Sequence, residues 1–370
     1  MKTEDKRIRI AVLIRNFIKS DGGAERYCYE VTKEISNKYN VTVFCQTKKS
    51  NLDSVAFIKV PKWFNRPRFL NQLLFSFFTR RLLTNHDFQI IHSHDMVSHA
   101  NVHTLHVPCF KKQENGGRFS SFLKKILSLL SPRKLSYLWL ENKMMNEKKS
   151  IIAVSSLLSN NIKSTYPNIK KVNIAYPGIS LHKINSSRPL FSNDKIRILF
   201  IGHGFLRKGL QEIILAVESL NSDSVEIFVA GRGSKKEIQF NSDIVKENTH
   251  FLGQVDNIWD LYNSGDIIIH PSKGDTFGMV ALEAMASNRV VLISNHRYCG
   301  ISELLSDEEA FILKNPSSHE EIANTLKNII KNKNKSIGVA INGLKFAKKM
   351  TWKKTATQTE KAYLEILKMN

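Results

Sequence analysis

The sequence predicts an α/β protein made of two doubly wound, mostly parallel sheets. One observation is the alternation of short β-branched apolar runs with helical segments, which is typical of parallel strand–helix units. A second is that the pattern restarts, because a strand, a glycine-rich turn and a helix are predicted over 8–36 and again over 195–220. The third is length, because 370 residues exceed one ordinary core and suit two domains of ~100–200 residues each.

The first half begins with a β-branched run of the buried-strand type, and the same signal returns along the chain. These predicted strands are IRIAVLI (8–14), NVTVFCQ (40–46), FQIIHSHD (88–95), ANVHTLHVP (100–108) and IIAVSS (151–156). Helices are predicted over 21–36, with apolar or aromatic positions at Tyr27, Val31 and Ile35, and over 137–150. Ser155 or Ser156 is expected to cap the helix that follows the last of these strands.

The second half repeats the alternation after a segment rich in Pro, Gly and Ser, 175–189, which is typical of a linker. Further strands are predicted at 225–233, 249–255, 266–272 and 290–294, with a helix over 280–287. The sequence therefore predicts one domain over 1–180 and a second over 181–350, with the last helix, 351–370, as a candidate for crossing back to the first. Open α/β sheets bind ligands at the carboxyl ends of their strands, so two such domains facing one another would leave a cleft for a site.

The net charge of +22 is concentrated in the first half. Residues 1–180 hold 30 Lys or Arg against 12 Asp or Glu, whereas residues 181–370 hold 25 against 21. Between Asp53 and Asp87 there is no acid, and basic residues are interleaved with bulky apolar ones, a composition that the segment 118–134 repeats. This composition favours contact with an anionic membrane surface. The alternatives are ordinary surface helices and, less favoured, nucleic acid, for which no binding motif is recognisable.

The sequence predicts neither secretion nor a membrane span. The apolar core of the N-terminal segment, Ile10 to Ile14, is too short for a signal peptide, and no run reaches the ~18 apolar residues of a spanning helix. The cysteines show neither a CxxC pair nor metal-ligand spacing, which favours a reduced cytoplasm. They are Cys28, Cys45, Cys109 and Cys299.

The stretch GDTFGMVALEAM (274–285) places two carboxylates around a glycine and an apolar run. Because it follows a predicted strand and opens a predicted helix, backbone N–H groups and the positive end of a helix dipole would lie just after Asp275, where a phosphate is favoured. Gly278 would let a ligand approach the backbone. Asp275 and Glu283 are then candidates for contacts to sugar hydroxyls, and the plainer interpretation is a capping acid with a solvated glutamate.

Two other glycine-containing turns are candidates for phosphate contact. In GHGFLRKGL (202–210), Arg207 and Lys208 stand at the start of a helix, where fixed cations would stabilise a departing diphosphate. Gly22 and Gly23 follow the first strand, but a lone glycine pair is a weak signal that lacks the dinucleotide-binding pattern. A solvated basic turn and an ordinary tight turn are the respective alternatives.

Five histidines lie close together in the sequence of the first half: His92, His94, His99, His103 and His106. A metal site is disfavoured, because zinc needs a defined set of three or four ligands and alternate strand residues merely share a face. His106, at the end of a predicted strand, is instead a candidate for hydrogen bonding the substrate, with His103 as a rival. A satisfied strand-end histidine is the plainer interpretation.

Together these motifs have the order and the separations of one enzyme family. GHGFLRKGL, AGRG, HFLGQV, DIIIHPS and GDTFGMVALEAMA, with DGGAERYCYEV and IIAVSS…YPGI before them, resemble the retaining glycosyltransferases of family 4 over nearly the whole chain. The resemblance implies the GT-B fold, which has two facing Rossmann-like domains with an interdomain cleft. It also implies that the first domain binds the acceptor and the second binds the nucleotide sugar, as in lipopolysaccharide-core glycosyltransferases.

The resemblance implies roles for individual residues. Asp275 and Glu283 match the family's paired acids, usually two glutamates, so the first acid is one methylene shorter here. They would bind the hexose and the ribose of the donor. The other matches are Arg207 and Lys208 at the diphosphate, Gly22 and Gly23 near the transferred sugar, His106 near the reacting centre, Gly253 to Val255 beside the nucleobase, and Phe277, Gly278 and Met279 at the donor-binding helix end.

Transfer with retention at the anomeric carbon is the reaction that the resemblance implies. The acceptor would attack on the face from which the diphosphate leaves, and the leaving phosphate would take the acceptor's proton. No metal or other cofactor is expected, since Arg207, Lys208 and the helix dipole supply positive charge. The expected donor is a nucleoside-diphosphate sugar, on frequency a UDP-hexose, and the expected acceptor is a glycan or glycolipid of bacterial surface polysaccharide or lipopolysaccharide. The enzyme would be peripheral on the cytoplasmic face of the inner membrane.

Two other functions stay open at the level of sequence. A nucleotide-sugar 2-epimerase of the same fold would need acids and a histidine arranged for proton abstraction and no acceptor, which leaves the basic first half unexplained. A non-catalytic module that binds a nucleotide sugar or a membrane is disfavoured by the joint presence of Asp275, Glu283, Arg207 and Lys208.

Overall fold

The computed structural model describes residues 7–19, 23–115, 131–181 and 188–369. The chain folds into two compact units, Met1–Gly178 together with Trp352–Asn370, and Ile179–Thr351. The first boundary lies two residues before the predicted one at 180, and the last helix belongs to the first unit.

The described part of the first unit is built on a parallel sheet. Its strands are β1 (Arg9–Leu13), β3 (Asn40–Cys45), β5 (Val55–Lys59), β6 (Ile90–Ser93), β7 (Val102–Leu105), β8 (Ser150–Ala153) and β9 (Asn173–Ile174), and a small second sheet pairs β2 (Asn16–Phe17) with β4 (Thr47–Lys48). The main sheet has the order β5-β3-β1-β6-β7-β8-β9. The order reverses between β1 and β6, the kind of position where Rossmann-like sheets bind ligands.

The helices described in the first half of the chain are α1 (Gly23–Ile35), α2 (Arg68–Leu83), α3 (Phe110–Asn115), α4 (Pro132–Met144) and α5 (Ser156–Thr165). α1 buries Tyr27, Val31 and Ile35, the positions that the sequence predicts. α4 begins before the predicted residue 137, because the fixed φ of proline suits the first turn of a helix. The Ser155 hydroxyl accepts a hydrogen bond from the α5 backbone at 3.1 Å, so Ser155 rather than Ser156 is the cap.

The second unit contains a second parallel sheet. Its described strands are β10 (Ile196–Ile201), β11 (Val225–Ala230), β12 (Thr249–Gly253), β13 (Ile267–His270), β14 (Val290–Ser294) and β15 (Phe311–Leu313), in the order β12-β11-β10-β13-β14-β15. Every residue of β13 and β14 is buried, which explains their uninterrupted apolar sequences. The order reverses between β10 and β13, and both strands lead into predicted phosphate turns.

The described helices of the second unit cover this sheet. They are α6 (Leu210–Glu218), α7 (Asp243–Glu247), α8 (Ile258–Ser264), α9 (Met279–Ala286), α10 (His319–Lys331) and α11 (Lys333–Lys349), with short 3-10 helices at Lys235–Glu237 and Gly300–Leu304. Buried side chains of α6 and α10 form one apolar core with those of β10, β11, β13 and β14. The two sheets establish the predicted pair of Rossmann-like α/β domains.

The last helix, α12 (Trp352–Met369), packs against α1 and β8 of the first unit. The Thr355 hydroxyl donates to the carbonyl of Tyr176 at 2.7 Å, and the side-chain oxygen of Gln358 accepts from the Tyr176 N–H at 3.0 Å. These bonds attach the end of the chain to the segment that leaves the first unit. In the residues that the structure describes, no helix has the length and apolar character needed to cross a bilayer.

Candidate active site

The predicted phosphate motif lies at the turn between β13 and α9. Gly278 immediately precedes α9 and has a φ of 99°, in the left-handed region that favours glycine. A Cβ at this position would lie 2.5 Å from Cys299 Sγ, so contact as well as conformation excludes a side chain. The N-terminal N–H groups of α9 and the positive end of its dipole lie at the same turn.

Asp275 lies three residues before this glycine, and its carboxylate is held from two sides. Oδ2 accepts hydrogen bonds from Lys208 Nζ at 2.5 Å and from His270 Nε2 at 3.0 Å, and Oδ1 accepts from the Phe277 N–H at 3.3 Å. Burial alone would raise the pKa of Asp275. The hydrogen bonds and charges of His270 and Lys208 outweigh it and hold that pKa below its usual range, so the carboxylate is ionised.

Arg207 and Lys208 lie in the turn between β10 and α6, as predicted. Arg207 is exposed and its Nη1 donates to the carbonyl of Gly274 at 3.1 Å, whereas the Lys208 side chain is only 12% exposed. The next residue, Gly209, has a φ of 84°, and a Cβ there would lie 2.5 Å from the carbonyl oxygen of Pro271. This close approach of the two turns brings together cations and a carboxylate from distant parts of the sequence.

Glu283, the second predicted acid, is half-buried in α9. Its Oε2 accepts a hydrogen bond from the hydroxyl of Tyr262 at 2.9 Å, and Tyr262 in α8 is fully buried. The tyrosine therefore fixes the direction of the carboxylate. Met279, the first residue of α9, is also half-buried.

A pocket of about 350 Å³ opens where β11 and β12 end. Its lining residues are Phe205, Gly231, Arg232, Gly233, Lys235, Phe251, Gly253 and Gln254. Gly231 has a φ of 123°, and a Cβ there would collide with the carbonyl oxygen of Gly202. Of the predicted nucleobase loop, Gly253 lines this pocket with a φ of 69°, and Val255 lies two residues further on and is half-buried.

His106 lies in the first unit, directly after β7. Its Nε2 is 3.1 Å from Nδ1 of His94, the two rings stack with centroids 5.4 Å apart, and Tyr27 packs edge-on against His106 at 4.9 Å. Burial lowers the pKa of His106 to about 3, so the ring is neutral at physiological pH. One nitrogen of the pair therefore donates and the other accepts.

His103, the rival of His106, has a different environment. Its ring is fully buried, and burial, with the charge of Lys149 as a lesser cause, holds its pKa well below the usual range. His106 is only half-buried. Contact of a ligand with His103 would require the surrounding core to open.

The predicted glycine pair is described only in part, because Gly22 lies outside the described residues. Gly23 opens α1 and is exposed, and a Cβ at this position would meet no described atom within 4 Å. Space therefore does not require glycine at residue 23, in contrast to residues 209 and 278.

Within the described ranges, no group of three or more His, Cys, Asp or Glu side chains is arranged to hold a metal ion. All four cysteines belong to these ranges, and each is buried with a free thiol.

Comparison with known proteins agrees with this arrangement. Residues 21–183 match the family model described as Glycosyltransferase Family 4, and residues 183–345 match the model described as Glycosyl transferases group 1. The chain belongs to the glycosyltransferases. This glycosyltransferase is 27% identical over 279 residues to the uncharacterized glycosyltransferase MJ1069 of Methanocaldococcus jannaschii, a match that covers 71% of the chain and 67% of that relative.

Solved structures share the fold of this glycosyltransferase. The crystal structure of WaaG, a glycosyltransferase involved in lipopolysaccharide biosynthesis, matches with a TM-score of 0.76 and 19% identity, over 96% of this chain and 99% of that one. Anabaena HepE in complex with UDP-glucose matches with a TM-score of 0.68 and 17% identity, over 98% of this chain and 100% of that one. The predicted GT-B type of fold, with its two Rossmann-like domains, is thereby confirmed.

Two residues of the site were not predicted from the sequence, His270 and Tyr262. A signal for His270 was present, because a polar residue closes the otherwise apolar strand DIIIH. No comparable signal marked Tyr262, since the short helix α8 was not predicted and its aromatic residues do not favour a helix.

Proposed function

We propose that this glycosyltransferase moves a hexose from a UDP-sugar to a glycan or glycolipid acceptor, with retention of configuration at the anomeric carbon. We assign it to the synthesis of bacterial surface polysaccharide or lipopolysaccharide, as a peripheral enzyme on the cytoplasmic face of the inner membrane. One observation carries the proposal: Arg207, Lys208 and the ionised Asp275 are grouped beside the N-terminus of α9 within the second unit.

This group suits a nucleoside diphosphate as leaving group. As the bond to the sugar breaks, negative charge grows on the phosphate, and fixed cations with a helix N-terminus stabilise that charge. Arg207 offers a planar fork of donors that is charged at every physiological pH, and Lys208 offers a compact point charge. The tight turns at Gly209 and Gly278 hold these donors together.

The remaining parts of the donor have candidate partners in the same unit. Carboxylates accept hydrogen bonds from hydroxyl groups, so we assign Asp275 to the hexose and Glu283, oriented by Tyr262, to the ribose. We assign the nucleobase to the pocket that is lined in part by Phe205 and Phe251. The structural neighbour HepE is in complex with UDP-glucose, which supports a uridine donor.

In the proposed reaction the acceptor hydroxyl oxygen attacks the anomeric carbon on the face from which the diphosphate leaves. The bond between the anomeric carbon and the phosphate oxygen breaks, the new glycosidic bond forms, and the acceptor's proton passes to the leaving phosphate. Arg207 and Lys208 supply the positive charge, so the proposal includes no metal. His106 is proposed to hydrogen-bond the substrate through its neutral ring.

The first unit has a surface that suits a lipid-linked acceptor. Unusually for a surface helix, α2 exposes Phe77, 58% of which is accessible, and nearby Trp63 is 67% exposed. Both aromatic rings pack against Phe78, at centroid distances of 5.5 and 5.1 Å. The buried side of α2 includes four polar residues, Asn71, Gln72, Ser76 and Thr79.

Exposed basic residues lie on both sides of these aromatic residues along the chain, with Arg66 and Arg68 at the start of α2 and Arg80 and Arg81 in its last turn. Exposed aromatic side chains among arginines favour the interface of an anionic bilayer. The second segment of this composition, 118–134, lies almost wholly outside the described residues. The structural neighbour WaaG is involved in lipopolysaccharide biosynthesis, which supports the assignment to that pathway.

The test is thermal stabilisation of the purified protein by UDP, GDP, ADP, CMP and dTDP, each with and without EDTA. A ligand at about 100 times its Kd adds roughly 2.7 kcal/mol of stability, which is an easily measured shift. We expect UDP to act selectively and EDTA to have no effect. Arg207→Ala/Lys208→Ala should abolish the shift, whereas the matched pair Lys327→Ala/Lys331→Ala on α10 should leave it unchanged. No shift with any nucleotide would contradict the proposal.

A further inference from the structure

We propose that His270 is a positioning residue of the donor site, which holds the Asp275 carboxylate so that Asp275 in turn fixes the Lys208 ammonium for the diphosphate. The inference rests on the proposed function and deepens it, because it adds a residue that acts through two others. It also gives Asp275 a role in binding the diphosphate as well as the hexose.

The environment of His270 restricts what its ring can do. The residue ends β13 and is 1% exposed, and its Nε2 lies 3.0 Å from Asp275 Oδ2. Among the residues that the structure describes, Nδ1 has no hydrogen-bonding partner. An ionised carboxylate only accepts hydrogen bonds, so Nε2 must carry the proton and donate it. A buried polar ring with one such bond is oriented by that bond.

The carboxylate of Asp275 transmits this restraint to Lys208. The same oxygen, Oδ2, accepts from His270 and from Lys208 Nζ, at 3.0 and 2.5 Å. The main chain of Asp275 is already fixed, since its N–H donates to Tyr298 at 2.8 Å and its carbonyl accepts from Gly300 at 3.2 Å. Only the side-chain torsions stay adjustable, and they are restricted by His270 at Oδ2 and by the longer bond of 3.3 Å from the Phe277 N–H at Oδ1.

Lysine gains most from such a partner. Its ammonium sits on a flexible four-carbon chain, and holding that chain in one conformation costs entropy at the moment of ligand binding. When Asp275 holds the ammonium before the ligand binds, the lysine side chain loses this entropy on folding and not on binding. Without His270 the carboxylate could rotate away from Lys208, and the diphosphate would bind a less ordered site.

The role of His270 predicts which ligands are affected. Because Lys208 is assigned to the diphosphate, loss of His270 should weaken UDP, and it should weaken UDP-glucose at least as much because Asp275 is also assigned to the hexose. A role limited to hexose recognition would instead spare UDP and weaken only UDP-glucose.

The experiment measures Kd for both nucleotides by calorimetry on the full-length protein and three variants at one position. His270→Leu fills a similar buried volume without a donor, His270→Gln can place an amide N–H near the position of Nε2, and His270→Asn reaches only the position of Nδ1. We expect the Leu and Asn variants to weaken UDP about tenfold and UDP-glucose by at least as much, and the Gln variant to stay near wild type. His319→Leu, at the half-buried start of α10, is the control for general effects of removing an imidazole.

The loss of UDP affinity should vanish when Lys208 is absent, so His270→Leu added to Lys208→Ala should not change the Kd of UDP further. Unchanged UDP binding in His270→Leu, a loss confined to UDP-glucose, or a full additional loss of UDP affinity in the double variant would each overturn the proposal. If His270→Leu fails to fold, equal Kd values for the Gln and Asn variants would overturn it. If the wild-type protein binds neither nucleotide, the proposed donor fails and this inference falls with it.

Discussion

At the scale of single residues, Gly278 meets two requirements at once. Its φ of 99° is unfavourable for a side chain, and an added Cβ would lie 2.5 Å from Cys299 Sγ in a buried contact. Gly278→Ala is therefore expected to destabilise the second unit by roughly 1–3 kcal/mol. The measurement is the urea midpoint of the far-UV signal at pH 7.

The control for this prediction is Gly338→Ala in α11. Gly338 is an exposed helical residue, and a Cβ there would meet no described atom within 4 Å. Alanine in a helix interior is favoured over glycine by roughly 0.5–1 kcal/mol, so this variant should be at least as stable as wild type. Equal midpoints for the two variants would show that Gly278 is not required for stability.

The sequence predicted the residue types of the donor site but not how they share atoms. Asp275 and Lys208 lie 67 positions apart, and their contact depends on the approach of Gly209 to Pro271. The distance between Gly209 and Pro271 cannot be inferred from the spacing of residues along the chain. The role of His270 could not be predicted for the same reason. A histidine at the end of a strand is equally compatible with an ordinary buried side chain and with a hydrogen bond to a carboxylate.

At the scale of elements, the exposed aromatic residues of the first unit make a testable prediction. Trp63 and Phe77 are 67% and 58% exposed beside the basic ends of α2, so inserting them into a bilayer interface would remove apolar surface from water. Fully burying such a side chain is worth about 1.5–3 kcal/mol, so Trp63→Ser/Phe77→Ser should weaken binding to anionic vesicles at least tenfold. The measurement is flotation with vesicles that contain one-third phosphatidylglycerol.

A matched control is Ile341→Ser in α11 of the second unit, where another apolar side chain is 42% exposed. It should float like wild type. If wild type does not float at moderate salt, or if the aromatic variant floats equally well, the membrane assignment is wrong.

The segment that enters the second unit depends on one buried carboxylate. Asp266 is fully buried, and its Oδ1 accepts from Arg188 Nη2 and from the Phe191 N–H, both at 2.7 Å, while Oδ2 accepts from the Arg197 N–H at 2.9 Å. Removing one partner of a buried ion pair typically costs about 3–5 kcal/mol. Asp266→Asn should lower the urea midpoint of the second unit accordingly, and the exposed Asp260→Asn should not. Equal midpoints would mean that the negative charge of Asp266 is not required for the stability of the second unit.

Long apolar runs made the buried strands predictable, and several of the missed elements lack such runs, although α10, with buried Ile322, Leu326 and Ile329, was missed despite its helical period. β13 and β14 are fully buried and read as continuous strands. β5 is an edge strand with mixed burial, and α8 has seven residues, so neither shows a clear period. Two of the missed elements matter for the fold or the site, because β5 extends the first sheet and α8 supplies Tyr262.

At the scale of the whole molecule, the histidines give the first unit a distinct response to acid. His92 and His103 are fully buried there. Burial, with His106 as a lesser cause, lowers the pKa of His92 to about 3. Burial, with Lys149 as a lesser cause, holds the pKa of His103 well below its usual range. In the unfolded chain histidine takes up a proton near pH 6.5. Their contribution to stability is therefore complete above about pH 6.5 and is lost as the pH falls toward the folded-state values.

The loss amounts to at most about 1.4 kcal/mol per pH unit for each such histidine. Calorimetry between pH 7.5 and 5.5 should thus show the melting transition of the first unit moving to lower temperature as the pH falls below 6.5. UDP distinguishes the two melting transitions, because under the proposed function it stabilises the second unit. The unfolding of His103→Leu takes up one proton fewer than that of wild type. The melting temperature of its first unit should therefore fall less steeply as the pH is lowered. Identical slopes would mean that His103 is protonated in the folded protein, in conflict with its full burial and its position near Lys149.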